Sequence, residues 1–544
     1  MSAIVTDQFR INNAGNFLGD VNNSENSYYV FVGLSNPSAA VRSSVAFGRN
    51  ANNAQWNSDI TRKKPIDNFN YSNHVKDTMI FGKKITLDNV RRVVRKVTWT
   101  KETRYDMYRH DYSESNLASN GKTARLYDSD FYVINKDFNV YVCISNGSSG
   151  INTTGNRSLN EPTLTGLEPF TASGSSDDGY QWKYLFTVSP SDIIKFDSTE
   201  YIVLPNDWAT STDSQIQTVR EAANSDINKN QIKKIYIENV GDNYGNNLAG
   251  EHIVDILGDG TGAKALVIIN NSGEISDVRV TSGGYGYTYG MVDLSSINSG
   301  AIINNTPATL IPIIPPSKGH GYDVYNELGA DKVLIYARFD DSSKDFPIDT
   351  QFAQVGIVKN PSQFNSTGIT TSSQFSSLYS IKLKSPITTV ADTDKLVGAA
   401  ITQTRSVSAG GGTAKGYVAS YDKDTNVLKY FQDRSLYLNN SNKSNHQDYR
   451  VVDTESKVLT FDSGGSNVIS VTSGASFSVG IDSNFSGITT VIDSKQINLG
   501  VNFTSGLANP EINKKTGDII YIDNRKMVKR DVRQKEDVKI ILEF

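Results

Sequence analysis

Cysteine is nearly absent: Cys143 is the only one in 544 residues, so no disulfide can close within the chain. A secreted protein of this size more often carries pairs, and the expectation is a chain made and kept in a cytoplasm, or in something assembled there. An excess of one charge is lacking too. The 54 Lys and Arg nearly balance 58 Asp and Glu, leaving a formal net charge of -4, which argues against general attraction to nucleic acid or acidic membranes. The longest apolar runs, such as "TLIPIIPP" at 309–316, fall well short of the roughly 20 residues a spanning helix needs. The opening "MSAIVTDQFRINN" holds neither the basic segment nor the apolar core of a secretory signal. His74, His110, His252, His320 and His446 are scattered, with no His-x-x-x-His and no second thiol, so neither zinc nor a Cys–His nucleophile is expected. No carboxylates pair at motif spacing, and no catalytic residue, metal or cofactor is assigned.

What the chain does have is short runs of Val, Ile, Tyr, Phe and Thr bounded by Asn, Ser, Gly and Asp, as in "YYVFVGL", "FYVINKDFNVYVCIS" and "KVLIYARF". Such runs read as strands between turns, and a length well beyond one core predicts roughly three or four domains, mainly β. Helix signals are few. Ser214 is expected to cap a short helix carrying Ile216, Val219 and Ala222, and a second helix is expected in "PIDNFNYSNHVKDTMIF".

An internal repeat stands out. "IKKIYIENVGDNYG" from Ile232 resembles "ISDVRVTSGGYGYT" from Ile275, aligning Gly241 with Gly284 and Tyr244 with Tyr287 at a shift of 43, and "VDI" at 254–256 is echoed by "VDL" at 292–294 at a shift of 38. Two related β units are expected to cover each other's apolar faces in one module over 230–320. A second block, 366–505, is poor in charge and rich in Ser, Thr, Gly and Asn; Val418, Tyr421, Val427, Leu428 and Tyr430 predict a hairpin around "DKDTN". The polar "SLYLNNSNKSNHQDYR" beyond it reads as a loop.

Two motifs imitate ligand loops and fail. "GDGTGAKALV" lacks the Lys-Ser/Thr and the following helix of a phosphate loop, and "DKDTNVLKYFQD" has Val427 where a calcium loop needs glycine and Asp433 where it needs glutamate. Both are expected to be turns. The basic stretch "NVRRVVRKVTWTKETRYDMYRHDY" interleaves Arg95, Arg104 and Arg109 with Trp99, Tyr105 and Tyr108. Its Glu102, Asp106 and Asp111 favour a salt-bridged protein interface over a nucleic-acid groove, since Arg, Trp and Tyr dominate interface hot spots. In "DDGYQWKYLF", Tyr180, Trp182, Tyr184 and Phe186 alternate with Gly179, Gln181, Lys183 and Leu185, which places four rings on one face of a strand. That face is expected to pack a β core, with a subunit interface as the alternative. Ring stacking on sugars remains open for the Tyr-rich repeat module, with no sequence support beyond its aromatics.

Taken in order, "AIVTDQFR", "YYVFVGLSNP", "TWTKETRYDMY", "DGYQWKYLF" with "EYIVLP", "VLIYARFDDSSKDFP", "FAQVGIVKNP" and "GDIIYIDNRKMV...EDVKIILEF" resemble the baseplate wedge subunit called gene product eight of T-even-type contractile-tailed phages. The resemblance covers 1 to about 210, 330–365 and 508–544, roughly half of the chain. It implies a mainly β, sandwich-like discontinuous core in three parts, 1–210, 321–365 and 506–544. A linker or short helix follows at 211–229, and two β domains, 230–320 and 366–505, are inserted. The family also implies a non-catalytic homodimer that contacts other wedge proteins at the virion tail baseplate after assembly in the host cytoplasm. A carbohydrate-binding tail or fibre protein acting in host attachment is the alternative.

Overall fold

The computed structural model describes residues 4–34, 65, 67–174, 176–224, 229–242, 244, 249–297, 306–340, 351–389, 396, 399–404, 412–432, 458–461, 477–530 and 534–544. The stretch "SLYLNNSNKSNHQDYR" with His446, most of "YGNNLAG", and parts of "YYVFVGLSNP" and "VLIYARFDDSSKDFP" lie outside them. Strands dominate, as the β-branched and aromatic runs require, and helices are few and short. None of the described helices is long and apolar enough to cross a membrane. The chain divides into two compact units, one of 1–18, 90–334 and 540–544, the other of 19–89 and 335–539.

In the first unit, strand Tyr180–Thr187 pairs antiparallel with Asn139–Asn146, which in turn pairs with Tyr132–Ile134. Val90–Arg95 pairs with Tyr201–Val203. Six further strands, from Lys234–Asn239 to Thr309–Ile313, build the repeat module. Along Glu536–Glu543, Ile540 is buried and Val538 and Leu542 half-buried, while Asp537, Lys539, Ile541 and Glu543 are exposed, the two-residue period of a half-covered strand.

The helices bring corrections. Helix Asp7–Asn22 has no counterpart among the expected elements, although Ile11, Ala14 and Leu18 bury one stripe. Helix Pro190–Phe196 carries start signals that the strand reading passed over: the Ser189 hydroxyl accepts from Asp192 N at 3.2 Å, and Pro190 follows it. In helix Ser214–Asn224 the cap is Asp213, not Ser214. The Asp213 carboxylate accepts from Gln215 N at 2.9 Å and Ile216 N at 3.1 Å, two donors that would otherwise be orphaned, whereas Ser214 already lies inside the first turn.

The second unit is built on a five-stranded sheet in the order Gln374–Ser376, Met79–Ile85, Tyr28–Gly33, Gln351–Lys359, Asp518–Lys529. Its central strand, Tyr28–Gly33, is buried at every position, because neighbours flank it on both edges and side chains cover both faces. A seven-stranded sheet follows, ordered Phe477–Gly480, Val458–Phe461, Ala400–Thr404, Thr413–Asp422, Val427–Gln432, Tyr379–Lys382, Leu507–Ala508, with its own core around Ile381, Ile401, Leu428 and Leu459. The Ser/Gly-rich block therefore has boundaries other than 366 and 505: Gln374–Ser376 joins the five-stranded sheet, and the block's own sheet runs from Tyr379 to Ala508. The "DKDTN" hairpin is present with Tyr421 opposite Leu428 and Asp422 opposite Val427, and Asp422 Oδ1 accepts from Asp424 N at 3.0 Å to shape the turn.

Candidate functional site

The aromatic row is entirely internal. Tyr180, Trp182, Tyr184 and Phe186 are buried, but so are Lys183 and Leu185 between them, so the strand is covered on both faces rather than one. Trp182 stacks on Tyr180 at 5.4 Å and meets the edge of Tyr105 at 5.8 Å. The Tyr180 hydroxyl accepts from Tyr105 N at 2.9 Å and donates to Asn156 O at 2.9 Å. Phe186 lies 5.9 Å from Trp208, and Tyr184 lies 5.8 Å from Tyr141. Lys183, on the second face, donates to Leu167 O, and burial pulls its amine below the usual lysine range. Cys143 sits opposite Trp182, fully buried, and the same desolvation pushes its thiol well above the usual value, the condition of an inert thiol.

The Arg- and Tyr-rich stretch is a correction to the expected interface. Tyr105, Tyr108 and Arg109 are buried within the first unit and offer no surface to a partner. Arg109 clasps Asp111 through Nε at 2.9 Å and Nη2 at 2.6 Å and lies 4.0 Å over the Tyr236 ring. Tyr108 meets His320 edge-on at 4.8 Å. Trp99 is half-buried, donating to Ser158 Oγ at 3.0 Å. Of the six residues only Arg95 and Arg104 are exposed, and Arg95 pairs with Asp130 at 2.6 Å while Arg104 donates to Gly155 O at 3.3 Å. Arg109 is thus consumed inside the unit, and the two exposed cations are answered by local acceptors. Three buried acids were not legible in the sequence. Asp106 accepts from Asn120 N at 2.7 Å and from Gly121 N and Asp130 N at 3.2 Å; Asp178 accepts from Leu159 N at 2.7 Å; and Glu327 bonds His320 Nδ1 and Gly321 N, both at 2.7 Å. Each organises loops, and none announces itself by spacing.

The repeat folds as a pseudo-two-fold, barrel-like module in which a four-stranded and a two-stranded sheet share one core. Strands Lys234–Asn239, Gly250–Gly258 and Thr261–Ile269 form one copy and Ile275–Tyr285, Gly290–Val292 and Thr309–Ile313 the other. Each copy's last strand pairs with the other copy's first, Thr261–Ile269 with Ile275–Tyr285 and Thr309–Ile313 with Lys234–Asn239. The copies also clasp reciprocally: Ile232 N donates to Gly283 O at 3.0 Å and, with the copies exchanged, Ile275 N donates to Val240 O at 3.1 Å. The aligned tyrosines seal the barrel in the same crossed manner. Tyr244 Oη accepts from Ala308 N at 2.9 Å, and Tyr287 Oη accepts from Ala263 N at 3.2 Å while donating to Ile256 O at 3.0 Å. The aligned glycines make room for those rings: Gly241 has φ 68° and Gly284 φ 59°, and a Cβ on either would come within 2.8 Å of its tyrosine ring. Asp255 and Asp293 lie where the pseudo-axis passes, with Asp293 N donating to Asp255 O at 2.9 Å.

"GDGTGAKALV" is the turn and strand between Gly250–Gly258 and Thr261–Ile269, with no helix after it. Asp259 in that turn takes hydrogen bonds from the Thr288 hydroxyl and from Thr288 N and Tyr289 N, which bring its carboxyl down to about 2. Among the described residues no three His, Cys, Asp or Glu side chains gather as metal ligands. The outer face of Gly250–Gly258 is unusual. Val254 and Ile256 point into the barrel, while Ile253 is 66% and Leu257 48% exposed; Met291, opposite Leu257, is 63% and Tyr289 64% exposed. Lys264 pairs with Asp255 at 2.6 Å between these apolar groups. Neither a protein-family model nor a curated protein matches the chain.

Proposed function

We propose that the chain is a structural subunit of a contractile phage tail baseplate wedge, a homodimer that assembles through protein–protein contacts and performs no catalysis. The observation that carries this reading is the convergence of the segments that resemble the wedge family. "YYVFVGL", "FAQVGIVK" and "GDIIYIDNRKMV" supply three adjacent strands of one sheet, with Tyr28 opposite Lys359 and Val358 opposite Ile519. In the other unit "TWTKETRYDMY" and "DGYQWKYLF" meet through Tyr105, Tyr180 and Trp182, and "EYIVLP" pairs with the strand just before them, Val93 opposite Val203. Most of the family-like segments thus supply core strands rather than loops, and the function itself is carried over from the resemblance.

The test is co-production with the other tail proteins of the same phage. The chain is expected to enter a wedge intermediate, and light scattering is expected to give twice the 59.7 kDa chain mass. A monomer at micromolar concentration that joins no tail intermediate would sink the reading. The carbohydrate reading keeps one observation in its favour, the exposed Tyr285 and Tyr289 rings beside Asp259, and retention on a glycan array without tail assembly would raise it above the first.

A further inference from the structure

We infer that the outer face of Gly250–Gly258 and Gly290–Val292 is the docking surface for a different protein subunit, one that presents an apolar strip bordered by Lys or Arg. The proposal rests on the structural-subunit reading above and names the chemistry of one partner. Ile253, Leu257 and Met291 stand in water on a barrel whose core is already filled by Val254, Ile256, Val292 and their neighbours. Exposed aliphatic side chains grouped on adjacent strands mark interaction sites when they are contiguous. Here the grouping is fixed by register, with Leu257 opposite Met291 and Ile253 opposite Leu266 on the third strand.

Charge decides between possible occupants. Glu251, Asp255, Asp259 and Asp293 lie on or beside this face with Asp277 at its edge, and the cations that answer these five acids are Lys264, paired with Asp255, and Arg279, opposite Leu266 and paired with Asp277. A second copy docking by the same patch about a two-fold axis would bring this acidic set against itself, and burying carboxylates against carboxylates is costly. The fitting partner is heterologous, with apolar groups for the aliphatic row and cations for the acids. The homodimer contact then lies elsewhere.

Two full-length variants test this beside the unaltered chain, each co-produced with the other tail proteins. In the first, Met291→benzoylphenylalanine places a photoreactive group on the patch. In the second, Leu257→Asp places a carboxylate where the partner's apolar strip would lie, at an exposed position, with thermal unfolding measured to confirm that the chain still folds. The expected result is a cross-link from position 291 to a Lys- or Arg-flanked apolar segment of another tail protein, and at least a tenfold loss of incorporation for Leu257→Asp at unchanged unfolding temperature. Cross-linking to a second copy of this chain, or full incorporation of folded Leu257→Asp, would overturn the inference while leaving the structural reading standing. Absence of the unaltered chain from every tail particle would instead overturn the structural reading, and the inference with it.

Discussion

Two strands of the first unit invert what their sequences suggest. Tyr180–Thr187 alternates large rings with Gln, Lys and Leu and looks one-sided, yet both of its faces are buried, Lys183 included. Gly250–Gly258, "GEHIVDILG", carries two apolar residues on each side of Asp255, yet only Val254 and Ile256 are buried and Ile253 and Leu257 face water. The difference lies in what covers the second face. Along Tyr180–Thr187, Tyr105 packs edge-on against Trp182, and segments carrying Leu167 and Phe170 run against the strand. Gly250–Gly258 belongs to the four-stranded sheet of the repeat module, which packs one face on the module's core and presents the other outward.

The largest test of this contrast pairs Trp182→Ala with Leu257→Ala. Emptying the Trp182 site is expected to cost about 3–5 kcal/mol, and the Leu257 change less than about 0.5 kcal/mol, read from urea unfolding followed by near-ultraviolet circular dichroism. Equal costs would erase the distinction between the strands. Next comes the turn that seals the inner face of the barrel strand. Gly284→Ala forces a Cβ to 2.5 Å from Thr261 O and 2.6 Å from Ala263 N at φ 59°, a strain of about 1–3 kcal/mol. Gly262→Ala, at φ 82° with open space around it, is expected to cost less, and the reverse order would show that the reciprocal glycine packing is unimportant.

A smaller loss is expected from Tyr287→Phe, which leaves Ala263 N and Ile256 O without the hydroxyl they share, about 1–2 kcal/mol. Differential scanning calorimetry reads it, and an unshifted transition would mean that the hydroxyl is dispensable to the barrel. The smallest effect, and the only gain, is expected at Lys183→Met. The folded chain holds the Lys183 amine below its usual range, whereas the unfolded chain keeps it protonated up to about pH 10.4. The unfolded state therefore binds more protons between the lowered pKa and about pH 10.4, and stability conferred on the unaltered chain rises through that window. Lys183→Met should be more stable than the unaltered chain at neutral pH, with the advantage shrinking as the pH approaches 10. An advantage that grew with pH would contradict the buried second face.

Much of the candidate surface was out of reach of local pattern. The stretch from Arg95 to Arg109 has the composition of an interface, and composition cannot say whether acceptors wait inside the fold. Tyr236 and His320, which with the adjacent Asp111 enclose Arg109 and Tyr108, come from two separate segments. The caps show the opposite case. Ser189 before Pro190 is a short-range signal hidden by a strand reading of the aromatic runs around it, and Asp213 is the cap one position ahead of the expected Ser214.

By itself the amino-acid sequence determined the β character and the repeat, because strand preference and turn chemistry act over a few residues. It also determined the paired glycines and tyrosines of the barrel, since a positive φ and a ring packed against it are set within four positions, Gly241 to Tyr244 and Gly284 to Tyr287. Tertiary structure alone decided which faces are wet. A strand has two faces, its own residues specify what each could bury, and the neighbour that completes the burial arrives from elsewhere in the chain, as Tyr105 does for Trp182, or does not arrive, as at Leu257 and Met291.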